Sequence, residues 1–316
     1  MRMGVDLGGT KIEAIMIDHE GLEVLRHRVA APQNDYKTTL QAIKDLVQRT
    51  EKASGHRADA TEKIPVGVGI PGTISPATGL VKNANSTCLI GHHLDRDLAE
   101  ILDRPVKIAN DANCFVLSEA HDGSAKAATT AFGVTLGTAV GGGLVVKGNL
   151  IEGPNLIAGE WGHNPLPWAN QGGSRSESPG PTCYCGLNGC TETFLSGAGL
   201  QRSYQECAQA DLTDLPSAQE IASHAENGDA VAIASLDLYS GRLARALASV
   251  INIIDPDVIV LGGGISNIAQ LYTKVPKLWA QWIFSDHVST RLVQNKHGDS
   301  SGVRGAAWLW PADTQK

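Results

Sequence analysis

Met3-Gly4-Val5-Asp6-Leu7-Gly8-Gly9-Thr10-Lys11-Ile12-Glu13-Ala14-Ile15-Met16-Ile17 is the stretch that decides the fold. Met3–Leu7 is a short apolar run that reads as a strand, the next four residues turn the chain, and Ile12–Ile17 reads as a second strand. Asp18-His19-Glu20-Gly21 is another turn, and Leu22–Val29 a third strand. Two adjacent glycines at a strand turn leave backbone N–H groups able to face an anion, with the Thr10 hydroxyl and the Lys11 charge beside them. A plain hairpin with a Gly-Gly turn fits the same residues. The Walker spacing Gly-x4-Gly-Lys-Ser/Thr is absent. Asp6 closes the first strand, where a carboxylate suits a Mg2+ held largely through water or caps its own turn.

The unit recurs. Thr130–Leu136 is a strand, Gly137-Thr138-Ala139-Val140-Gly141-Gly142-Gly143 turns, and Leu144–Lys147 returns. Two strand–Gly/Thr turn–strand units about 130 residues apart predict two related halves able to hold a phosphate chain from both sides. The 316-residue length fits two domains, each with its own core. A net charge of −7 argues against a broad footprint on nucleic acid and for a small-molecule substrate. No apolar run reaches transmembrane length, and Asp6 and Lys11 interrupt any signal-peptide pattern, so a cytoplasmic protein is expected.

Between the two units, Tyr36–Ser54 carries Leu40, Ile43, Leu46 and Val47 at helical spacing. Ile64–Ile70 is a strand whose Gly67-x-Gly69-x-x-Gly72 string is not a dinucleotide loop, because two glycines lie inside the strand and Pro71 takes the turn. Gly79 to Asn83 reads as a hairpin, Leu94–Leu102 as a helix and Val106–Ala109 as a buried strand. Asn83-Ala84-Asn85-Ser86-Thr87 suits hydrogen bonding to a sugar, or an ordinary loop. Asp111 follows the Val106–Ala109 strand directly and a helix is expected over Cys114–Ala120. A carboxylate outside the carboxyl end of a strand is where open α/β sheets bind ligands, which makes Asp111 a candidate base; a helix N-cap is the other reading.

Farther on, helices are expected near Gly197–Ala210, Ser217–Asn227 and Asp229–Ile254, then a strand over Val258–Leu261 and glycines at 262–264. Those glycines permit close approach of an adenine or a phosphate, or simply start a helix. Arg291–Asn295 reads as a strand and Gly302–Trp310 as a terminal helix packing back on the first lobe. Asn170 to Gly180 reads as a mobile polar surface loop.

Three of the six cysteines, Cys183, Cys185 and Cys190, fall within eight residues, with His163 upstream in Gly159-Glu160-Trp161-Gly162-His163. Three thiolates and an imidazole fill a tetrahedral Zn2+ shell; a closed shell makes such a zinc structural. Free thiols in a turn-rich loop are the alternative. Cys88, Cys114 and Cys207 are isolated and read as packing residues.

Together these stretches, with Asn110-Asp111-Ala112, Glu192 and Val260 to Gly264, resemble the ROK family of sugar kinases over the whole chain. The run 83–87, Asn164 to Trp168 and Lys296 to Trp308 resemble the bacterial fructokinases of that family that also accept mannose. The resemblance implies an α/β fold of two RNase-H-like, actin/hexokinase-like ATPase lobes with a cleft between them: 1–121 with the terminal helix 302–316, and 122–301 carrying the zinc loop. It implies ATP and Mg2+, nucleotide contacts from Gly4, Asp6, Gly8, Gly9, Thr10, Lys11, Gly133, Gly137, Thr138, Gly263 and Gly264, and sugar contacts from Asn85, Asn110, Asp111, Glu160, His163 and Glu192. Asp111 would be the general base, fructose the expected sugar and a homodimer the expected assembly. Mannose, glucose, N-acetylglucosamine and N-acetylmannosamine are alternatives. The family's repressors carry an N-terminal helix-turn-helix, and here only Met1 to Val5 precede Asp6. The family's second phosphate turn is Gly-Thr-Gly; Ala139 replaces its last glycine, and a positive φ there would strain alanine and weaken ATP binding.

Overall fold

The computed structural model describes residues 1–55, 63–84, 86–171 and 177–310. The chain forms two compact units, Met1–Lys126 with Gly143–Ala158 and Lys296–Lys316, and Ala127–Gly142 with Gly159–Asn295.

The first unit starts with β1 (Arg2–Leu7), β2 (Lys11–Ile17) and β3 (Glu23–Ala30), paired antiparallel, with Leu7 opposite Ile12 across the glycine turn. α1 (Tyr36–Ala53) starts where the Asp35 side chain accepts a hydrogen bond from the Thr38 N–H, and it buries Ile43, Leu46 and Val47. β4 (Val66–Ile70) runs parallel to β1, pairing Asp6 with Gly69. The short hairpin β5 (Thr73–Ile74) and β6 (Val81–Lys82) leads to α2 (Leu94–Leu102), β7 (Val106–Asn110) and α3 (Asp111–His121). The sheet order is β3-β2-β1-β4-β7.

The chain continues through β8 (Thr130–Leu136), β9 (Val140–Val146) and β10 (Asn149–Ile151). Then come α4 (Thr191–Leu195), α5 (Gly197–Ala208), α6 (Ala218–Glu226) and α7 (Ala230–Ile254). β11 (Val258–Gly262), α8 (Leu271–Trp279), β12 (Arg291–Gln294) and α9 (Ser301–Trp308) complete it. The second sheet has the order β10-β9-β8-β11-β12, the same plan as the first: three consecutive strands side by side, then two strands parallel to the earliest of them. A repeated strand order of this kind is the actin- and hexokinase-like ATPase plan.

Several expectations need correction. Gly141 to Gly143 lie inside β9 rather than in a turn. The helix expected from Cys114 starts at Asp111. Gly143–Ala158 groups with the first unit because β10 packs against α3. The five-residue α4 and the Pro276-containing α8 have no strong local signal and were not anticipated. Among the described residues no helix is long and apolar enough to cross a membrane.

α9 closes the first core. Val303 and Ala307 join Ile15 and Ile17, and Ala306 joins Ala109 and Cys114. The fit requires glycine at two places. A Cβ on Gly4 would lie 2.3 Å from the Val303 carbonyl oxygen, and one on Gly305 would lie 1.6 Å from that of Cys114. Gly4, expected at the nucleotide, is therefore a buried packing position. Gly133 is likewise buried within β8, opposite Val260 of β11.

Candidate active site

In the first unit, the turn after β1 is closed by the Gly8 N–H, which donates to the Lys11 carbonyl at 3.0 Å. The next two N–H groups, of Gly9 and Thr10, have no hydrogen-bond partner among the described residues, and both residues are exposed. The turn after β8 closes one residue sooner. Gly137 N–H donates to the Ala139 carbonyl at 3.0 Å, and the Thr138 and Ala139 N–H groups have no hydrogen-bond partner among the described residues. Each turn thus offers two successive free N–H donors, the kind of concavity that takes an anion. Ala139 is not among the residues with positive φ, so alanine sits there without strain and the expected penalty on ATP binding has no basis.

Asp6 ends β1 beside the first turn. Burial pushes its carboxyl up to about 7, the charges of Asp111 and Glu13 add to the rise, and Lys11 and Arg28 oppose it. Glu13 was not singled out from the sequence, although a glutamate in the apolar run of β2 was the available signal. It is 1 % exposed and receives Arg26 at 3.2 Å and Arg28 at 2.6 Å.

β7 delivers Asn110 and Asp111 to the first turn of α3. Asn110, not Asp111, is the N-cap: its Oδ1 accepts the Ala112 N–H at 2.9 Å, and its Nδ2 donates to the Gly72 carbonyl at 3.3 Å. Asp111 is the exposed first residue of the helix, its Oδ1 also 2.8 Å from the Ala112 nitrogen, where the helix dipole favours a negative charge. One turn on, Cys114 is fully buried; burial raises its thiol well above the ordinary value, with Asp6 and Asp111 adding to it, so it is an inert packing residue.

The polar run that follows β6 belongs to the same corner. A Cβ on Gly72 would touch Ala84 at 2.9 Å, and one on Gly9 would lie 3.9 Å from the Ser86 hydroxyl. Ser86 therefore borders the free N–H groups, and Ala84 borders the segment that Asn110 holds. Asn85 lies outside the described residues.

In the second unit, His163, Cys183, Cys185 and Cys190 come together with their ligand atoms within 4.8 Å of one another. His163 Nδ1 is 3.6 Å from Cys183 Sγ, and Cys185 Sγ is 3.6 Å from Cys190 Sγ. A tetrahedral zinc at ordinary bond lengths has ligand–ligand edges of about 3.6–3.8 Å, so this set can hold the ion. His163 Nε2 faces the Tyr184 hydroxyl at 3.0 Å, which leaves Nδ1 as the metal-facing atom. Crowding acts on the thiols. Burial, then the neighbouring Cys185 and Cys183, push Cys190 up to about 12, whereas a hydrogen bond from the Leu187 backbone leads the causes that lower exposed Cys185 to about 7. A dication among them reverses that repulsion.

Glu160 is exposed at the head of the turn that carries His163, and Glu192 is buried in the first turn of α4. Glu192 Oε2 accepts the Val140 N–H at 3.2 Å, and Oε1 lies 3.6 Å from Cys183 Sγ. Trp161 donates to the Gly141 carbonyl at 3.0 Å, and a Cβ on Gly142 would strike its ring at 2.6 Å. Gly142 makes room for the Trp161 ring, and Gly143 for Val116 and the Ala112 carbonyl of α3.

Gly263 needs its positive φ of 81°, and its Cβ would fall 2.4 Å from the Leu136 carbonyl oxygen. Beside Gly264, a cavity of about 170 Å3 opens toward Gln219 and Glu226 of α6. Two larger cavities, of 740 and 680 Å3, are lined by none of the expected site residues, so size alone does not mark this site.

Of the stretch Asn170 to Gly180 read as a mobile surface loop, residues 172–176 lie outside the described residues, and the reading of Glu177 needs correction. Glu177 is 2 % exposed and bound by Arg242 and Arg245, which sequence reasoning did not single out.

The profile of the ROK family matches residues 2–313. The N-acetyl-D-glucosamine kinase of Yersinia enterocolitica is 37% identical over 309 residues, which cover 98% of this chain and 99% of that protein. The crystal structure of the ROK hexokinase from Thermus thermophilus aligns with a TM-score of 0.81 at 28% identity, over 97% of this chain and 96% of that one. A ROK family glucokinase from Streptomyces griseus, in complex with glucose and AMPPNP, aligns with a TM-score of 0.76 at 26% identity over 98% of each chain. A family profile over nearly the whole chain and relatives of this identity place it: this chain belongs to the ROK family of sugar kinases.

Proposed function

We propose that the chain transfers the γ-phosphoryl group of ATP to the primary hydroxyl of a hexose. The observation that carries this reading is the corner of the first unit where free N–H groups, Ser86, Asn110, Asp6 and Asp111 adjoin. Asp111 accepts the hydroxyl proton as that oxygen bonds to the γ-phosphorus, and the bond from phosphorus to the β,γ-bridging oxygen breaks, releasing ADP. Backbone N–H groups of Gly9, Thr10, Thr138 and Ala139, with Lys11, hold phosphate oxygens. Asp6 suits a water-bridged Mg2+, which supplies charge neutralisation when bound. Gly263 and Gly264 border the nucleoside. Asn110, Asp111, Glu160, His163 and Glu192 hold the sugar hydroxyls. Zinc on His163, Cys183, Cys185 and Cys190 supplies rigidity to the loop, leaving bond breaking to other groups.

Two sugars stand out. N-acetyl-D-glucosamine is supported by the names of relatives 36–38% identical over nearly the whole chain. Fructose is supported by the likeness of residues 83–87 to fructokinases, a run bordering Asn110 and Gly9. The likeness over Lys296 to Trp308 carries less weight for the sugar, because that segment binds Glu119 and Asp122 of the first unit. ADP release measured over a panel of fructose, mannose, glucose, N-acetylglucosamine and N-acetylmannosamine tests the reading. The highest kcat/KM names the substrate, and ATP turnover with none of them removes the reading.

A further inference from the structure

A buried charge cluster lies beneath the cysteine knuckle. The Glu177 carboxylate, fully inside the second unit, accepts four hydrogen bonds. Arg242 Nε reaches Oε1 at 3.0 Å and Arg245 Nη2 at 2.6 Å; Arg245 Nη1 reaches Oε2 at 2.9 Å, as does the Asn170 N–H. Burial alone would push this carboxyl up, and the bonds from Arg245 and Arg242 outweigh it and hold the group below its ordinary value. Both arginines are 1 % exposed and belong to α7.

The cluster grips both chain segments that flank the knuckle. On the His163 side, Arg245 Nη1 donates to the carbonyls of Trp168 at 2.7 Å and Pro167 at 3.3 Å. Nearby, the Leu166 N–H donates to the Gly189 carbonyl at 2.9 Å. On the cysteine side, the Gly189 N–H donates to the Pro181 carbonyl at 2.9 Å, four residues beyond Glu177. A Cβ on Gly180 would lie 2.6 Å from Gly189 Cα. The two anchored segments therefore meet at Gly189, next to Cys190 and two residues before the N-terminal turn of α4, which carries Glu192. The same face of α7 holds α4 directly: Arg242 lies 5.1 Å over the Phe194 ring, and the buried Tyr239 hydroxyl donates to the Leu195 carbonyl at 2.8 Å.

Buried ion pairs are weak contributors to stability compared with apolar packing of the same volume, because desolvation offsets much of the attraction. What they supply is direction. A bidentate arginine–carboxylate pair fixes distance and orientation together, and here those bonds end on the backbone that leads to the sugar-contacting side chains.

We infer that Glu177, clamped by Arg242 and Arg245, is a positioning residue that sets the placement of His163 and Glu192 for sugar recognition. The inference rests on the sugar-kinase reading for its kinetic consequence, while its structural part stands on the second unit alone. Glu177 touches neither proposed substrate nor metal ligand; it acts through the Gly189 junction.

The test uses the full-length, zinc-loaded protein carrying Glu177→Gln, with Glu51→Gln as control. Glu51 makes a buried ion pair with Arg104 in the first unit, away from the knuckle. Glu177→Gln is expected to keep one zinc per chain, to raise the sugar KM about 10-fold or more, as loss of a supporting partner behind a metal ligand does, and to leave the ATP KM within about 2-fold. Glu51→Gln is expected to lower Tm without moving the sugar KM. An unchanged sugar KM in folded Glu177→Gln protein overturns the inference, as does a parallel rise in both KM values. If Glu177→Gln does not fold, Arg245→Lys carries the test, since lysine keeps the charge and loses the fork. Amide exchange decides independently of the reaction. Faster exchange confined to residues 163–195 in the variant supports positioning; uniform or unchanged exchange refutes it. Wild-type protein inert toward every hexose would sink the kinase reading and leave the exchange result to judge the clamp.

Discussion

Asp6 and Asp111 are electrostatically coupled. Burial is the larger cause of the raised Asp6 carboxyl, and the negative charge of Asp111 is the next. A divalent cation beside Asp6 would offset both causes of its rise.

Asp111→Asn is expected to lower kcat by about 10^2–10^4-fold, the range for loss of a general base, with little change in Tm because the side chain is exposed. The same variant should bring the Asp6 carboxyl down from about 7, since one of its raising charges is gone. NMR titration of the Asp6 carboxyl carbon reads this; an unmoved Asp6 would show that the two groups are not coupled.

The Asp6 value carries a definite pH sign. Its folded-state value of about 7 lies above the ordinary 3.8, so the folded state binds more protons between those limits. The stability this group contributes is fully present below about 4 and is lost as pH rises through about 7. Without Mg2+, Asp6→Asn should therefore gain stability over wild type from pH 5 to pH 8, by roughly 1–2 kcal/mol after relaxation of the charged group. Denaturant melts at the two pH values measure it, and a pH-independent difference contradicts the assignment. The same variant should lose most activity.

Cys185 is the most exposed of the four candidate ligands. Cys185→Ser is expected to lose zinc, raise the sugar KM about 10-fold or more and leave the ATP KM nearly unchanged. Metal content by atomic absorption, set beside the two KM values, checks it. Stoichiometric zinc in the variant would contradict the ligand set.

Gly4→Ala places a methyl group 2.3 Å from the Val303 carbonyl oxygen. The expected cost is roughly 1–3 kcal/mol of stability, typical of overpacking, with an unchanged ATP KM in the folded fraction. A selective rise in ATP KM would return Gly4 to the nucleotide site.

Ala139→Gly should change the ATP KM by less than about 2-fold, because Ala139 does not have the positive φ at which glycine has its advantage. Steady-state kinetics at saturating sugar is the measurement.

Local pattern carried some of this structure in plain view. The apolar spacing of α1, the strand leading into Asp111 and the grouping of His163 with three cysteines all come from residues near in sequence or of rare chemistry. What stayed hidden depended on partners far along the chain. Glu177 lies in a polar stretch that reads as surface, and only Arg242 and Arg245, more than sixty residues away, make its burial tolerable. Gly141 to Gly143 read as a turn because glycines usually do, while here they lie inside a strand, Gly142 leaving space for the Trp161 ring and Gly143 for α3. Gly4 sits close to the Gly8-Gly9 turn in sequence, and its neighbour in space is α9, far along the chain.

That helix has a consequence for biosynthesis. α9 covers the face formed by Ile15, Ile17, Ala109 and Cys114, and the segment before it ties down Glu119 and Asp122. A ribosome making this chain releases β1 well before α9. The first unit therefore keeps an open apolar face until α9 emerges, after the intervening Gly159–Asn295 segment. Nascent chains stalled before Ser301 are the form of this protein that most needs a chaperone.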